Sequence, residues 1–286
     1  MEKSDLSDFT NVAMSLFGDL FSKIDVDVYN GNVIPKHGPG ATADRVRGNA
    51  KYSQKQWTER LEEVFPAVDF LYPSPTYYLE ESLPDDSKGL EWLSPEQELP
   101  VRVITVPKTL KSPRIIAIEP SYMQYVQQGL MEKFVEGIEG NDSPLRAFIG
   151  FEDQETNRQL ARIGSMTGDL ATLDLSEASD RVSLQLVQAL FRNHTWLLAG
   201  VLACRSQRAE VPGYGTITLS KFASMGSALT FPIEAMVFLT IIFLGISKEL
   251  GVPVTRKLIE ELSGNVRVYG DDIIVPVDYV PCVVQA

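Results

Sequence analysis

Val266-Arg267-Val268-Tyr269-Gly270-Asp271-Asp272-Ile273-Ile274-Val275 is the stretch on which the reading of the fold turns. Two short runs rich in β-branched residues flank a Gly-Asp pair, the pattern of a β-hairpin closed by a tight turn. Asp271 and Asp272 then sit at its tip. Far upstream, Asp174 ends another apolar run, Leu170-Ala171-Thr172-Leu173. If that strand lies beside the hairpin, three carboxylates converge, an arrangement that needs cations to neutralise it. A pair of hard divalent ions about 3.5–4 Å apart is the machinery of phosphoryl transfer. Each acid also has a local reading: Asp174 suits a helix cap, and Gly-Asp suits a turn for its own sake. Neither explains Asp272 at the head of an apolar strand, where an unpaired buried carboxylate costs several kcal/mol.

The wider composition is that of a globular protein with ample core. Of 286 residues, 44% are hydrophobic, a length that favours two domains or one domain with large lobes. The net charge of −12 argues against a simple nucleic-acid-coating protein. Its distribution softens that objection. Residues 36–55 hold Lys36, Arg45, Arg47, Lys51 and Lys55 against the single acid Asp44, and Arg102, Lys108, Lys111 and Arg114 form a second basic group. A phosphate backbone responds to local basic surface, not to total charge.

Cys204 and Cys282 are the only cysteines, with no metal-ligand spacing, and fit a reducing compartment without disulfides. His37 and His194 are isolated, which makes a zinc site a poor reading. No basic segment followed by a long apolar run opens the chain. The uncharged run Ala235 to Ile246 has 12 residues, short of the roughly 20 that span a bilayer, and reads as a buried core helix.

Periodicity predicts a helix within residues 1–27 and an irregular proline- and acid-rich connection over 65–100. Strands are expected at Val101 to Val106 and Arg114 to Ile118, then a helix from Tyr122 to Val135. In the second half, a strand at 170–175 leads into one helix with Val182, Leu186, Val187, Leu190 and Phe191 on a single face. A strand at Ile217 to Leu219, the loop Ser224-Met225-Gly226-Ser227, the apolar helix, a polar helix at Arg256 to Leu262 and the acidic hairpin follow. The order gives an α+β fold in which one sheet carries all three acids.

Four segments now stand in order: Val106-Pro107-Lys108-Thr109 with Lys111 and Arg114, then Asp174 to Asp180, then Ser224 to Glu234, then Tyr269 to Asp272. They resemble motifs F, A, B and C of viral RNA-dependent RNA polymerases. The likeness is nearest to the replicase catalytic (beta) subunit of single-stranded RNA bacteriophages, the levivirus or Q-beta type. His37-Gly38-Pro39-Gly40-Ala41, Ile118-Glu119-Pro120, and the run Asp153-Gln154, Asn157, Leu160-Ala161, Gly164-Ser165 resemble that family too. The agreement runs from about residue 36 to 276. Two departures stand out: Glu234 occupies a position where many viral polymerases have Asn, and Ser227 one where this family has Asn.

The resemblance implies a right-hand polymerase fold, with a fingers region over 1–150 and a palm with an antiparallel sheet over 151–286. It implies that Asp174, Asp271 and Asp272 hold two Mg²⁺ ions, Mn²⁺ being a possible substitute, and catalyse RNA-templated transfer of ribonucleotides in replicating a viral RNA genome. Lys108, Lys111 and Arg114 would clamp the triphosphate, Arg114 best through its planar fork; the lysines also read as solvated loop charges. Asp180, Ser224, Gly226 and Thr230 would lie near the incoming nucleotide, where the 2′-hydroxyl must be read. Asp180 equally suits the first turn of a helix. Implied partners are template and nascent RNA, ribonucleoside triphosphates, host elongation factors Tu and Ts and a ribosomal protein, in the cytoplasm of a bacterial host and without a membrane.

That family continues well beyond its acidic hairpin, whereas this chain stops 14 residues after Asp272, so the resemblance implies an incomplete replicase, thumb largely absent, that polymerises weakly or not at all by itself. Two other readings compete: a reverse transcriptase, against which Ser179-Asp180 replaces the bulky aromatic gate of that class, and a non-catalytic RNA- or host-factor-binding protein. Retention of all three acids and Arg114 speaks against the latter.

Overall fold

The fold, a computed structural model, is described for residues 3–72, 89–107, 113–175 and 177–286. In chain order these form α1 (Lys3–Tyr29), β1 (Gln56–Thr58), α2 (Glu59–Glu62), α3 (Ala67–Phe70), β2 (Glu91–Leu93), β3 (Val101–Val106), β4 (Arg114–Ile118) and α4 (Ser121–Glu139). Then come α5 (Glu155–Thr167), β5 (Leu170–Asp174), α6 (Ala178–Arg181), α7 (Leu184–Leu190), α8 (Thr195–Ala203), β6 (Arg208–Val211) and β7 (Gly215–Thr218). The chain closes with α9 (Thr230–Leu250), α10 (Arg256–Leu262), β8 (Arg267–Tyr269), β9 (Asp272–Pro276) and α11 (Val280–Gln285). The class is α+β.

Two compact units emerge, and they interleave along the sequence. The first comprises Met1–Ser22, Lys133–Asn193 and Thr230–Ala286; the second comprises Lys23–Glu132 and His194–Leu229. A single cut at 150 therefore does not follow the packing. α1 and α4 each run across a unit boundary, a crossing that a reading of continuous segments cannot see.

In the first unit β9 lies between β5 and β8, antiparallel to both. Val268, Ile273, Ile274 and Val275 are buried, as β-branched residues on a covered sheet should be. α9 supplies much of the core beside them. It is buried nearly all round, from Ile233 through Ile246, and 83% of its most apolar window is inside the protein. A helix apolar on every face belongs in a core, which matches the expectation for 235–246. Phe148 meets Phe243 edge-on at 5.6 Å, and Phe21 meets Phe191 edge-on at 4.9 Å.

The single helix expected after β5 is instead broken into α6 and α7. Val182 takes extended ψ, and Ser183 caps α7 by accepting the Leu186 N–H at 3.2 Å. A serine at that position competes for the backbone and favours a fresh helix start over continuation. The apolar face survives the break, since Val182, Val187, Leu190 and Phe191 are all buried.

The second unit holds a four-stranded sheet in the order β4-β3-β6-β7 and a small parallel pair, β1-β2. β3 and β4 are antiparallel, from Arg102 opposite Ile118 to Val106 opposite Arg114, as expected of them. β7 runs Gly215–Thr218, near the strand expected at 217–219, and pairs with β6, which the sequence did not announce. β6 reads Arg-Ala-Glu-Val; Ala209 is its one fully buried residue, joining Val101 and Ala117, and the half-buried Val211 packs against the same cluster.

Candidate active site

The hairpin forms as its sequence demands. Tyr269 pairs with Asp272, leaving Gly270 and Asp271 as a two-residue turn. Gly270 has φ 59°, whereas Arg45 and Glu177 are the only non-glycine residues of positive φ among the described residues. Positive φ at the first central residue alone is the demand of a type II′ turn, and glycine meets it without strain. Space matters as well: a Cβ on Gly270 would fall 2.5 Å from Phe231 Cε2. Phe231 itself packs between Phe151 and Tyr269, with ring centroids 5.7 and 5.6 Å away.

β5 brings the third acid to this turn. Asp174 stands directly opposite Asp272 in the β5–β9 register. Opposed residues of antiparallel strands share a face with Cβ atoms about 4.5–5.5 Å apart. Asp174 and Asp271 are exposed, and Asp272 is half-buried. The strands thus converge as the sequence predicts, but the carboxylates do not meet at one point. Among the described residues, no three His, Cys, Asp or Glu side chains are gathered closely enough to hold a metal ion. The reason lies in the alternation of side chains at the strand start. Asp272 accepts a hydrogen bond from Gln154 Nε2 at 3.2 Å, while the charge of Asp271 bears on Glu234 of α9.

Glu234 belongs to this acidic set, although the sequence marked it only as a departure from a pattern. It is 5% exposed in an apolar helix, and burial first, then the charges of Asp271 and Asp180, push its carboxyl up to about 7. A lone acid in the run Leu229 to Ile246 was the available signal. Asp180 lies half-buried in α6, its N–H bonded to Glu177 O at 2.9 Å, and Glu177 takes a left-handed φ of 56°. Gln154 stands in the sequence only as part of a family-like run, and nothing there marks it as the partner of Asp272.

Thr230 opens α9 in the first unit, whereas Arg114, Ser224 and Gly226 belong to the second. Arg114 is exposed at the first position of β4. The loop 224–227 lies along that same strand: Ala117 N–H donates to Met225 O at 2.9 Å, and Ser227 N–H to Ser224 O at 3.1 Å. Gly226 has φ 131°, and a Cβ there would fall 1.9 Å from Ala117 O, so only glycine permits this approach. Lys108 and Lys111 lie outside the described residues.

Comparison with known proteins adds the identity. The model of the family described as RNA replicase, beta-chain, matches residues 94–286. The chain belongs to that replicase beta-chain family. The RNA-directed RNA polymerase subunit beta of Enterobacteria phage SP is 37% identical over 174 residues, covering 61% of this chain and 27% of that protein. That of Escherichia virus Qbeta is 36% identical over 184 residues, covering 63% and 28%. The chain spans 27% to 31% of the length of the curated relatives it matches. Among solved structures, the BmCPV RNA-dependent RNA polymerase at elongation state shares 10% identity with a TM-score of 0.49, covering 97% of this chain and 26% of that one.

The donor chemistry fits a divalent cation such as Mg²⁺ or Mn²⁺. Asp174, Asp271 and Asp272 offer only oxygen, the choice of hard ions, and the register already sets two of them side by side. Asp174 and Asp271 are open to solvent, where a carboxylate is free to take another rotamer.

Proposed function

We propose that this chain carries the nucleotidyl-transfer centre of an RNA-dependent RNA polymerase that replicates a viral RNA genome in the cytoplasm of an infected bacterium. The observation that carries the reading is the opposition of Asp174 and Asp272 across β5–β9, with Asp271 in the adjoining turn. Asp174 and Asp271 would hold two Mg²⁺ ions, and Asp272, bonded to Gln154, would serve as a further ligand or orient the other two acids. When bound, such a pair of ions supplies charge neutralisation at the attacking 3′-hydroxyl and at the leaving pyrophosphate. Arg114, with Lys108 and Lys111, grips the triphosphate, where a guanidinium offers two parallel donors to phosphate oxygens. Asp180, Ser224 and Thr230 would read the 2′-hydroxyl of the incoming ribonucleotide, and Gly226 would serve nucleotide binding. No protein nucleophile is needed, since positioning and charge stabilisation carry this chemistry.

Partners in this reading are template and product RNA and ribonucleoside triphosphates, with host elongation factors Tu and Ts and a ribosomal protein joining the longer replicase. The fingers and palm roles are assigned by sequence to 1–150 and 151–286, a division that the two interleaved units cut across. The test is templated incorporation by a chain extended to the length of the replicases it matches, with rNTPs and dNTPs offered side by side. Mg²⁺-dependent incorporation of rNTPs that Asp271→Ala abolishes supports the proposal. Incorporation that survives Asp271→Ala unchanged, or that prefers dNTPs, overturns it.

A further inference from the structure

The loop that precedes α9 is fixed by side chains with no part in the chemistry proposed above. Arg205, 6% exposed, donates from Nε to Phe222 O at 2.7 Å and from Nη2 to Leu219 O and Lys221 O, each at 2.8 Å. One guanidinium thus grips three carbonyls of the segment that runs into 224–227. Gln127, 1% exposed on α4, accepts the Ala228 N–H at 3.2 Å just past the loop and donates to Cys204 O at 2.8 Å. β4 holds the middle through Ala117 and Met225.

The anchor residues are themselves held. Arg60 donates to Leu202 O at 2.8 Å and to Arg205 O at 2.9 Å, and pairs through both nitrogens with buried Glu98. Glu119, 3% exposed directly after β4, accepts hydrogen bonds from Ser206 and Gln127. Every one of these groups lies in the second unit. The same strand that carries Arg114 at its start therefore carries, at its end, the acid that locks Gln127. Buried polar groups are expensive unless fully paired, and a site that must be held to a fraction of an ångström is where such a network is worth having.

We infer that Arg205 and Gln127 are positioning residues that hold loop 224–229 in register with the Arg114 strand before any nucleotide arrives. The inference rests on the reading of Arg114, Ser224 and Gly226 as nucleotide contacts. Loss of either anchor leaves the sheet intact and frees the loop, so its cost falls on nucleotide affinity. Arg205→Lys keeps the charge but lacks the fork that reaches three carbonyls, and Gln127→Met keeps the volume but removes the acceptor and donor.

The experiment measures backbone hydrogen exchange and binding of Mg²⁺·GTP by the wild-type chain, Arg205→Lys and Gln127→Met, with surface variant Glu132→Gln as control. The inference expects wild-type amides at Met225 to Leu229 to exchange as slowly as those of β3 and β4 without nucleotide. Each anchor variant should accelerate exchange over 219–229 only and weaken GTP binding about tenfold, the worth of a buried hydrogen bond. Glu132→Gln should change neither. Rapid exchange of the wild-type loop without nucleotide overturns the inference, and that result needs no variant to fold. Loosened loops with undiminished GTP affinity overturn it equally. Wild-type protein that binds no Mg²⁺·GTP contradicts the nucleotide reading itself, a failure seen before any variant is compared.

Discussion

The acidic hairpin and the 224–229 loop reach their places by opposite means. The hairpin is held by apolar packing behind it: Val268, Ile273, Ile274 and Val275 are buried, while Asp174 and Asp271 are exposed. The loop is held by buried polar bonds to Arg205, Gln127 and β4, with a glycine at its tightest approach. Hydrophobic burial is non-directional and tolerates change in the groups it carries outward. Directional bonds fix a position more finely and fail more sharply when one partner is lost. Function and stability should therefore separate cleanly at the hairpin and move together at the loop.

The largest effect expected is at the hairpin. Asp271→Ala should reduce templated incorporation in a replicase-length chain by at least about 10³-fold, since metal-assisted charge stabilisation is worth several kcal/mol. Its urea midpoint should move little, within about 0.5 kcal/mol of stability, because the side chain is exposed. Gly226→Ala comes next. The left-handed φ and the approach to Ala117 O should cost stability by about 1–3 kcal/mol, and nucleotide binding should fall with it. A variant that kept wild-type stability but lost binding would break the distinction between the two regions.

A third prediction sharpens it through pH. Burial raises the Glu119 carboxyl to about 7, with Ser206, Gln127, Arg205 and Arg60 opposing the rise. A carboxyl raised in the fold keeps its proton where the unfolded chain, titrating near 4.5, has lost it. Its contribution is therefore fully present below about 4.5 and is lost as pH rises through about 7. Urea midpoints of the wild type should fall between pH 5 and pH 8, and Glu119→Gln should remove part of that fall. A Glu119→Gln protein with the same pH slope as wild type would contradict the buried-acid account. The smallest effect is expected at the exposed Arg256–Glu260 pair of α10, 3.0 Å apart. Arg256→Ala should change stability by less than about 0.5 kcal/mol and leave incorporation untouched.

This contrast also explains what could be read in the sequence. The hairpin, β5 and α9 announce themselves because apolar residues recur with strand or helix period and the acids interrupt them. Asp174, Asp271 and Asp272 were legible for that reason, and the loop was legible through Gly226. Their side chains gather less than the pattern implied: Asp272 bonds to Gln154, and among the described residues no three acids close on one point. Arg205, Gln127 and Glu119 were not legible as anchors. A buried arginine in Cys204-Arg205-Ser206 looks like any surface arginine until the carbonyls it grips are brought to it by folding. Ser183 carried a readable capping signal that the strong apolar face of the following helix obscured.

The central claim is that Asp174 and Asp271, distant in sequence, act on the same divalent ions. Titrating Mn²⁺ into the chain, followed by electron paramagnetic resonance, tests it without any need for polymerase activity. The account predicts that Asp174→Ala and Asp271→Ala each weaken Mn²⁺ binding at least about tenfold, as loss of even an outer-shell partner can, with the fold unchanged by circular dichroism. Wild-type Mn²⁺ affinity retained in Asp174→Ala would contradict it.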